Sequence, residues 1–193
     1  MSRPTRTFVA VPIPRDRAEK LQRLQTLIAP SLPNARWEEP DKFHVTLAFL
    51  GDVPDVDLSP ICRAVAEAVK GFPRFELAIE KLGVFPNPSR PRVVWAGLTG
   101  DGVETLSEIQ RAVVTAVDGL GYAPEDTRFT PHITLGRLKP GKDPTDDCSP
   151  LLRHFERWMG GSFGVPEIIT YASQFTAEGP AYVPLGRAPL KGR

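Results

Sequence analysis

Apolar residues along this chain follow two spacings, which predict an alternation of strands and helices. Short runs rich in β-branched and aromatic residues predict strands at 7–11, 43–50, 75–82, 92–98, 129–138 and 167–175, with a further short strand at 182–185. Apolar residues at helical spacing predict helices at 15–28 and 104–120, and Ser-Pro pairs predict the starts of two more, at 59–69 and 149–158. Gly51 and Gly121 are predicted to end a strand and a helix. The mixture indicates an α+β protein.

One four-residue phrase occurs twice in the chain. The segments 44–47 (His-Val-Thr-Leu) and 132–135 (His-Ile-Thr-Leu) contain two of the three histidines. Both lie in predicted strands, where successive side chains point to opposite faces. The histidine and the threonine of each phrase therefore share one face, and the two apolar residues point towards a core.

The order of elements around the two phrases is also repeated. Strand, helix, strand, helix and strand follow one another over about 7–82 and again over about 92–176. The Ser-Pro pairs at 59–60 and 149–150 follow the two phrases at similar distances. We predict one domain, residues 1–193, made of two such lobes that pack about a pseudo-two-fold axis, so that the two His-x-Thr faces meet across a groove. A chance similarity between short strands is the alternative.

Composition limits the class of protein. The chain has 193 residues, 41% of them hydrophobic, which is enough to bury a core, and its net charge of +1 provides no overall field to attract nucleic acid. The two cysteines fit neither a zinc motif nor a disulfide framework. No segment has the length of a membrane span or the apolar run of a signal peptide. We therefore expect a monomeric cytoplasmic protein with reduced thiols and no membrane partner.

Paired histidines and hydroxyls suit the cleavage of a phosphodiester. Hydrolysis requires a base that deprotonates water and an acid that protonates the departing oxygen on the opposite side of phosphorus. Histidine titrates near neutral pH, so His44 and His132 could fill both roles without a metal or another cofactor. The hydroxyls of Thr46 and Thr134 can donate hydrogen bonds to the phosphate oxygens.

These motifs carry a family resemblance. The stretches Trp37–Gly51 and Phe129–Arg137, each with its His-x-Thr phrase, are similar to those of the 2H phosphoesterases. Within that superfamily the chain most resembles the bacterial and archaeal RNA 2′,3′-cyclic phosphodiesterases, once named 2′-5′ RNA ligases. Further matching phrases lie at 82–88, 92–95, 171–173 and 179–182, so the resemblance covers nearly the whole chain.

The resemblance implies a fold and a reaction. The expected fold is α+β, bilobal and pseudo-two-fold, with two antiparallel sheets lining a central groove and helices packed outside. The expected reaction is the metal-independent opening of an RNA-terminal 2′,3′-cyclic phosphate to a 2′-phosphomonoester, in RNA ends or free nucleotides. By analogy His44 is the general acid, His132 is the general base, and Thr46 and Thr134 bind phosphate. The resemblance leaves open whether reverse 2′-5′ ligation accompanies hydrolysis.

Arg137 stands where many members of the family carry a phosphate-binding arginine. It follows His132 by five positions, and an odd separation places two residues on opposite faces of a regular strand. A bulge or the strand end must therefore intervene if both side chains are to reach one phosphate. A solvated arginine at a strand terminus is the competing interpretation.

Other residues are weaker candidates for contacts with RNA. Phe43 and Phe129 lie beside the motif histidines and could stack on a base, and Phe8 is a further aromatic candidate, although core packing accounts for all three. A basic rim is conceivable at Arg90, Arg92, Arg128, Lys139 and Lys142, where scattered surface charge is the alternative. His154 is expected to be a surface histidine.

Three other functions compete with this interpretation. A zinc hydrolase would need three protein ligands, and the sequence shows no such spacing around the two histidines. A module that binds RNA or nucleotides without turnover would not need both histidines and both threonines. A phosphodiesterase for another cyclic or 2′-5′ linked nucleotide would use the same chemistry at phosphorus, so the motifs do not separate it from the main hypothesis.

Overall fold

The computed structural model describes residues 4–123, 128–139, 147–176 and 179–192. Over these ranges the strands are β1 (Thr5–Pro12), β2 (Ala35–Trp37), β3 (His44–Val53), β4 (Phe75–Phe85), β5 (Val93–Thr99), β6 (His132–Leu138), β7 (Met159–Val165), β8 (Glu167–Thr176) and β9 (Gly179–Pro189). The helices are α1 (Arg15–Ile28), α2 (Asp55–Val69), α3 (Gly102–Asp118) and α4 (Ser149–His154). In this part of the chain no helix is long and apolar enough to cross a membrane.

The two long helices pack through the faces that their spacing predicts. α1 buries four apolar residues, Ala18, Leu21, Leu24 and Ile28. α3 buries another four, Leu106, Ile109, Val113 and Val117. Burial of one such large side chain stabilises the fold by about 1.5–3 kcal/mol, so tertiary packing rather than helix propensity holds these helices in place.

The two Ser-Pro pairs do not occupy equivalent places. The pair at 149–150 begins α4, as predicted, but the pair at 59–60 lies inside α2, which begins at Asp55. Pro54 precedes that helix, and acidic residues in its first turn interact favourably with the positive end of the helix dipole. The helix therefore starts before the Ser-Pro pair, and this part of the repeat prediction was wrong.

Several predicted ends were also wrong. β3 does not stop at Gly51, which adopts a positive φ of 71° inside the strand and pairs with Thr7. α4 ends at His154 instead of 158, since the chain turns there into β7, a strand that the sequence did not predict. The short strand expected at 182–185 is the middle of the longer β9.

The strands form two antiparallel sheets that have the same internal order. One is β3-β1-β8-β9, and the other is β2-β6-β5-β4-β7, so β3, β1, β8 and β9 correspond to β6, β5, β4 and β7. Each sheet takes strands from both halves of the chain, because β4 comes from the first half and β8 and β9 from the second. The repeat units at about 7–82 and 92–176 thus exchange their closing strands, and neither unit builds a sheet alone.

The two strands that carry the His-x-Thr phrases lie side by side where the sheets meet. β3 and β6 are in contact, and the core lies on their helix-facing side, where Val45, Leu47, Ile133 and Leu135 are buried. The predicted fold class, α+β with two antiparallel sheets and helices packed outside, is confirmed. The opposite faces of β3 and β6 carry His44, Thr46, His132 and Thr134, all partly exposed, and the surface that these faces form is called the groove below.

Candidate active site between the two sheets

The two motif histidines are held by the same backbone contact. Nδ1 of His44 lies 2.7 Å from the carbonyl oxygen of Lys42, and Nδ1 of His132 lies 2.7 Å from that of Thr130. A carbonyl only accepts, so Nδ1 carries the proton and donates it in both rings. Nε2 is then the nitrogen of each imidazole that can accept or donate a proton in the groove.

Each His-x-Thr strand contains a β-bulge directly after its threonine. In the pairing of β1 with β3, Val9 lies opposite Ala48 and the next residue, Ala10, lies opposite Thr46, which leaves Leu47 as the extra residue. The pairing of β5 with β6 skips Leu135 in the same way. The bulges stand at equivalent places in the two sheets.

The bulges change which face the following residues occupy. Leu135 and Gly136 are both buried, so the alternation shifts by one and Arg137 returns to the face of His132 and Thr134. Of the two irregularities that the sequence allowed before Arg137, a bulge or the strand end, the structure contains the bulge. In β3 the same shift brings Phe49 to the face of His44.

Charges connect Arg137 with both histidines. The positive charge of Arg137 is among the causes that lower the pKa of both histidines, and the bulge in β6 places Arg137 on the face of His132. Nε of Arg137 lies 3.5 Å from a carboxylate oxygen of Glu38, and the two side chains are 61% and 24% exposed. The loose ion pair engages one edge of the guanidinium and leaves its other N–H groups available to an anion.

Both histidines titrate below the usual range. Burial lowers the pKa of His44, the hydrogen bond to the Lys42 carbonyl opposes this effect, and the positive charges of His132 and Arg137 lower the pKa further. Burial also lowers the pKa of His132, against the hydrogen bond to the Thr130 carbonyl, and Arg137 adds to the lowering. A bound phosphate would counter the repulsion because it supplies negative charge.

Aromatic rings flank the two imidazoles differently. The ring of His44 contacts Phe8 at a centroid distance of 4.9 Å and Tyr182 at 5.4 Å, the latter edge to face. The ring of His132 contacts Phe85 at 5.0 Å, also edge to face, and Trp95 at 6.0 Å. The two half-sites thus share backbone geometry but differ in their side walls.

The aromatic residues that the sequence suggested for base stacking differ in how deeply they are buried. Phe43 is only 4% exposed and belongs to the core, so burial removes the open ring face that stacking requires. Phe8 is equally buried, beneath His44 and Tyr182. Phe129 is partly buried and packs against the core. Only Phe129 of these three retains exposed surface.

Phe49 was missed by the sequence reasoning. It is 56% exposed, lies on the groove face of β3, and contacts Phe8 at a centroid distance of 5.9 Å. It follows His44 by five positions, as Arg137 follows His132, and that matched spacing is the signal that could have identified it. Glu38 and Tyr182 carry no comparable signal, since the partner of Glu38, Arg137, lies far along the chain and Tyr182 comes from β9.

The remaining candidates lie at the edges of the groove or outside it. Arg90, Arg92 and Lys139 are exposed, Arg128 is exposed just before β6, and Lys142 lies outside the described residues. His154 is exposed on α4 and contacts Phe155, in agreement with a surface histidine. Over the described ranges, no three His, Cys, Asp or Glu side chains are grouped closely enough to hold a metal ion.

Comparisons with known proteins give the family. Residues 11–95 and again 97–182 match the model of the LigT-like phosphoesterases. The RNA 2′,3′-cyclic phosphodiesterase of Methanothermobacter thermautotrophicus is 33% identical over 177 residues, which cover 92% of this chain and 94% of that protein.

Solved structures show the same fold. The crystal structure of TT0787 of Thermus thermophilus has a TM-score of 0.77 and 26% identity, and the match covers 97% of this chain and 99% of that one. The crystal structure of E. coli LigT complexed with 3′-AMP has a TM-score of 0.76 and 25% identity, over 97% of this chain and 98% of that one. Together with the two matches along the sequence, these likenesses show that the chain belongs to the LigT-like phosphoesterase family, a family of the 2H phosphoesterases.

Proposed function

We propose that this enzyme hydrolyses RNA-terminal 2′,3′-cyclic phosphates to 2′-phosphomonoesters without a metal ion. The observation that carries the proposal is the pair of imidazoles, each with Nδ1 donating to a backbone carbonyl, on the contacting strands β3 and β6, with Arg137 on the same face of β6 as His132. The name of the M. thermautotrophicus relative and the 3′-AMP bound in E. coli LigT support an RNA or nucleotide substrate.

The proposed reaction is an in-line displacement at phosphorus. Nε2 of His132 accepts a proton from water as the water oxygen attacks the phosphorus atom. The bond from phosphorus to the 3′ oxygen breaks, and Nε2 of His44 donates a proton to that oxygen. Thr46, Thr134 and Arg137 donate hydrogen bonds to the non-bridging oxygens, whose negative charge grows in the transition state.

The assignment of acid and base rests on the family resemblance, and electrostatics bears on it. The positive charge of His132 is among the causes that lower the pKa of His44, so a proton on one ring disfavours a proton on the other. The opposite assignment, with His132 as the acid, is the competing version of the same mechanism.

Phe49 is the side chain best placed to contact the base of the substrate. It occupies the position in β3 that Arg137 occupies in β6, so the phosphate would lie between an arginine and an exposed aromatic ring. Its contact with the buried Phe8 supports one side of the ring and leaves the other for stacking. Phe129 is the second candidate from the opposite edge.

A different cyclic or 2′-5′ linked nucleotide is the main alternative substrate, since the same groups would act on its phosphorus atom. Reverse 2′-5′ ligation would use the same residues with the proton transfers exchanged. A side-by-side assay with 2′,3′-cyclic phosphate RNA and 2′-5′ linked oligonucleotides separates these possibilities by their relative kcat/KM.

The first prediction concerns the two histidines. His44→Ala and His132→Ala are each expected to lower kcat for a nucleoside 2′,3′-cyclic phosphate by about 10²–10⁴-fold, because each removes a general acid or base. The wild-type protein is expected to keep its rate in EDTA. His154→Ala, which removes the exposed third histidine, is the matched control and should leave the rate unchanged. Loss of activity in EDTA with recovery on adding zinc would overturn the metal-free mechanism.

The second prediction separates the acid from the base. In a substrate with sulfur in place of the 3′ bridging oxygen, the leaving group is a thiolate, which does not need protonation. The defect of His44→Ala is expected to shrink by about tenfold or more on this substrate, whereas the defect of His132→Ala should stay the same. The reverse pattern, measured by steady-state kinetics on both substrates, would exchange the two roles.

The third prediction concerns pH. Activity needs one neutral and one protonated imidazole, and both pKa values are lowered in the free enzyme, so kcat/KM is expected to peak below pH 6.5. Arg137→Gln removes a positive charge that favours the neutral rings. The peak should therefore move to higher pH while its height falls. Arg23→Gln, on the exposed face of α1, is the control, and an unmoved peak in Arg137→Gln would contradict the shared site.

The fourth prediction concerns Phe49. Phe49→Ala is expected to raise KM for a nucleoside 2′,3′-cyclic phosphate by about 5- to 150-fold, because stacking on a base is worth about 1–3 kcal/mol. Phe49→Tyr should retain the wild-type KM. Ribose 2,3-cyclic phosphate without a base should respond little to either change. Leu27→Ala, which removes an equally exposed apolar side chain on α1, is the control. Equal effects on both substrates would assign Phe49 to folding or to the phosphate.

A further inference from the structure

Two buried glutamines interrupt the apolar faces of the long helices. Gln25 of α1 is 6% exposed and Gln110 of α3 is 8% exposed, and both lie among the leucines, isoleucines and valines that those helices bury. Burial of an amide is unfavourable unless the amide is hydrogen-bonded. The partners of these two side chains therefore indicate why glutamine occupies the positions.

Each glutamine donates to the extra residue of a bulge. Nε2 of Gln110 lies 3.3 Å from the carbonyl oxygen of Leu47, and Nε2 of Gln25 lies 2.8 Å from that of Leu135. Leu47 and Leu135 are the residues that the strand pairing skips in β3 and β6. Because a bulge disrupts the ladder at its extra residue, the amide supplies a donor directed at that point of the strand.

The contacts cross between the halves of the chain. Gln25 comes from the first half and holds the His132 strand, while Gln110 comes from the second half and holds the His44 strand. Gln25 also donates to the carbonyl oxygen of Glu38 at 2.8 Å, and the N–H of Glu38 donates to Leu135. Gln25 thereby connects the bulge in β6 to Glu38, which forms the ion pair with Arg137.

We propose that Gln25 and Gln110 are positioning residues of the active site. Each fixes the bulge that brings a later side chain, Arg137 in β6 or Phe49 in β3, onto the same face as the His-Thr pair of that strand. For its kinetic readout this inference rests on the proposed function. An apolar residue of similar size would fill the same space in the core but would not hold the bulged carbonyl. A strand that loses its bulge changes the face of every residue beyond it, so loss of either amide weakens the register that one half of the site requires.

A purely structural role of the two glutamines predicts a different effect of removing the amide. In that case loss of the amide lowers the free energy of unfolding, and each folded molecule keeps a normal site. In the positioning role the folded molecule itself changes near one histidine. Because the chain has only three histidines, each imidazole can be followed separately by nitrogen-detected NMR, with the exposed His154 as an internal reference.

The test uses Gln110→Met and Gln25→Met, which remove the donor at nearly constant volume, with Gln22→Met on the exposed side of α1 as the matched control. Gln110→Met is expected to shift the ring signals and titration of His44 more than those of His132, and Gln25→Met the reverse. Gln22→Met should shift neither. In the proposed reaction each of the two buried variants should lower kcat by roughly tenfold or more per folded molecule, as misplacement of a catalytic group does.

Unchanged titrations of His44 and His132 in both variants, with only a lower melting temperature, would overturn the inference. If the methionine variants do not fold, Gln110→Asn and Gln25→Asn replace them. These variants shorten the side chain by one methylene, and the same NMR titrations of His44 and His132 are compared. The NMR arm needs no substrate. A wild-type protein that hydrolyses no cyclic phosphate therefore removes the proposed function alone, while normal turnover with unmoved imidazoles removes this inference alone.

Discussion

The arrangement of the site is constrained by the two-residue period with which side chains alternate along a strand. A strand presents every second residue, so a histidine, a threonine two positions later and an arginine five positions later cannot share a face in regular geometry. One extra residue after each threonine resolves the conflict, in β3 and in β6 alike. In the proposed mechanism, each strand then presents its histidine, its threonine and the side chain beyond the bulge on one face.

The symmetry of the backbone is broken by the side chains. Equivalent positions hold Phe49 in one strand and Arg137 in the other, and the imidazoles are flanked by Phe8 and Tyr182 on one side and by Phe85 and Trp95 on the other. A nucleotide is itself asymmetric, with an anionic phosphate and an aromatic base. A duplicated fold with unlike flanks therefore suits a substrate whose two ends differ in chemistry.

The sequence predicted what depends on local pattern. The apolar spacing in α1 and α3 was right because one face of each helix is buried. The parity argument at Arg137 required a bulge or the strand end, and the structure contains a bulge. The start of α2 was missed because an internal Ser-Pro pair resembled a helix cap. The burial of Phe43, the partnership of Glu38 with Arg137, and the contacts of Gln25 and Gln110 depend on packing between distant segments, which no local pattern records.

The exchange of strands between the halves affects the order in which the molecule can be completed. β1 lies between β3 and β8, so the sheet that carries His44 lacks one side of its central strand until the second half has been synthesised. During synthesis, the first histidine precedes Gln110 and Tyr182, which contact its strand and its ring. The sheet that carries His44 is therefore complete only after β8 and β9, the last strands of the chain, have been made.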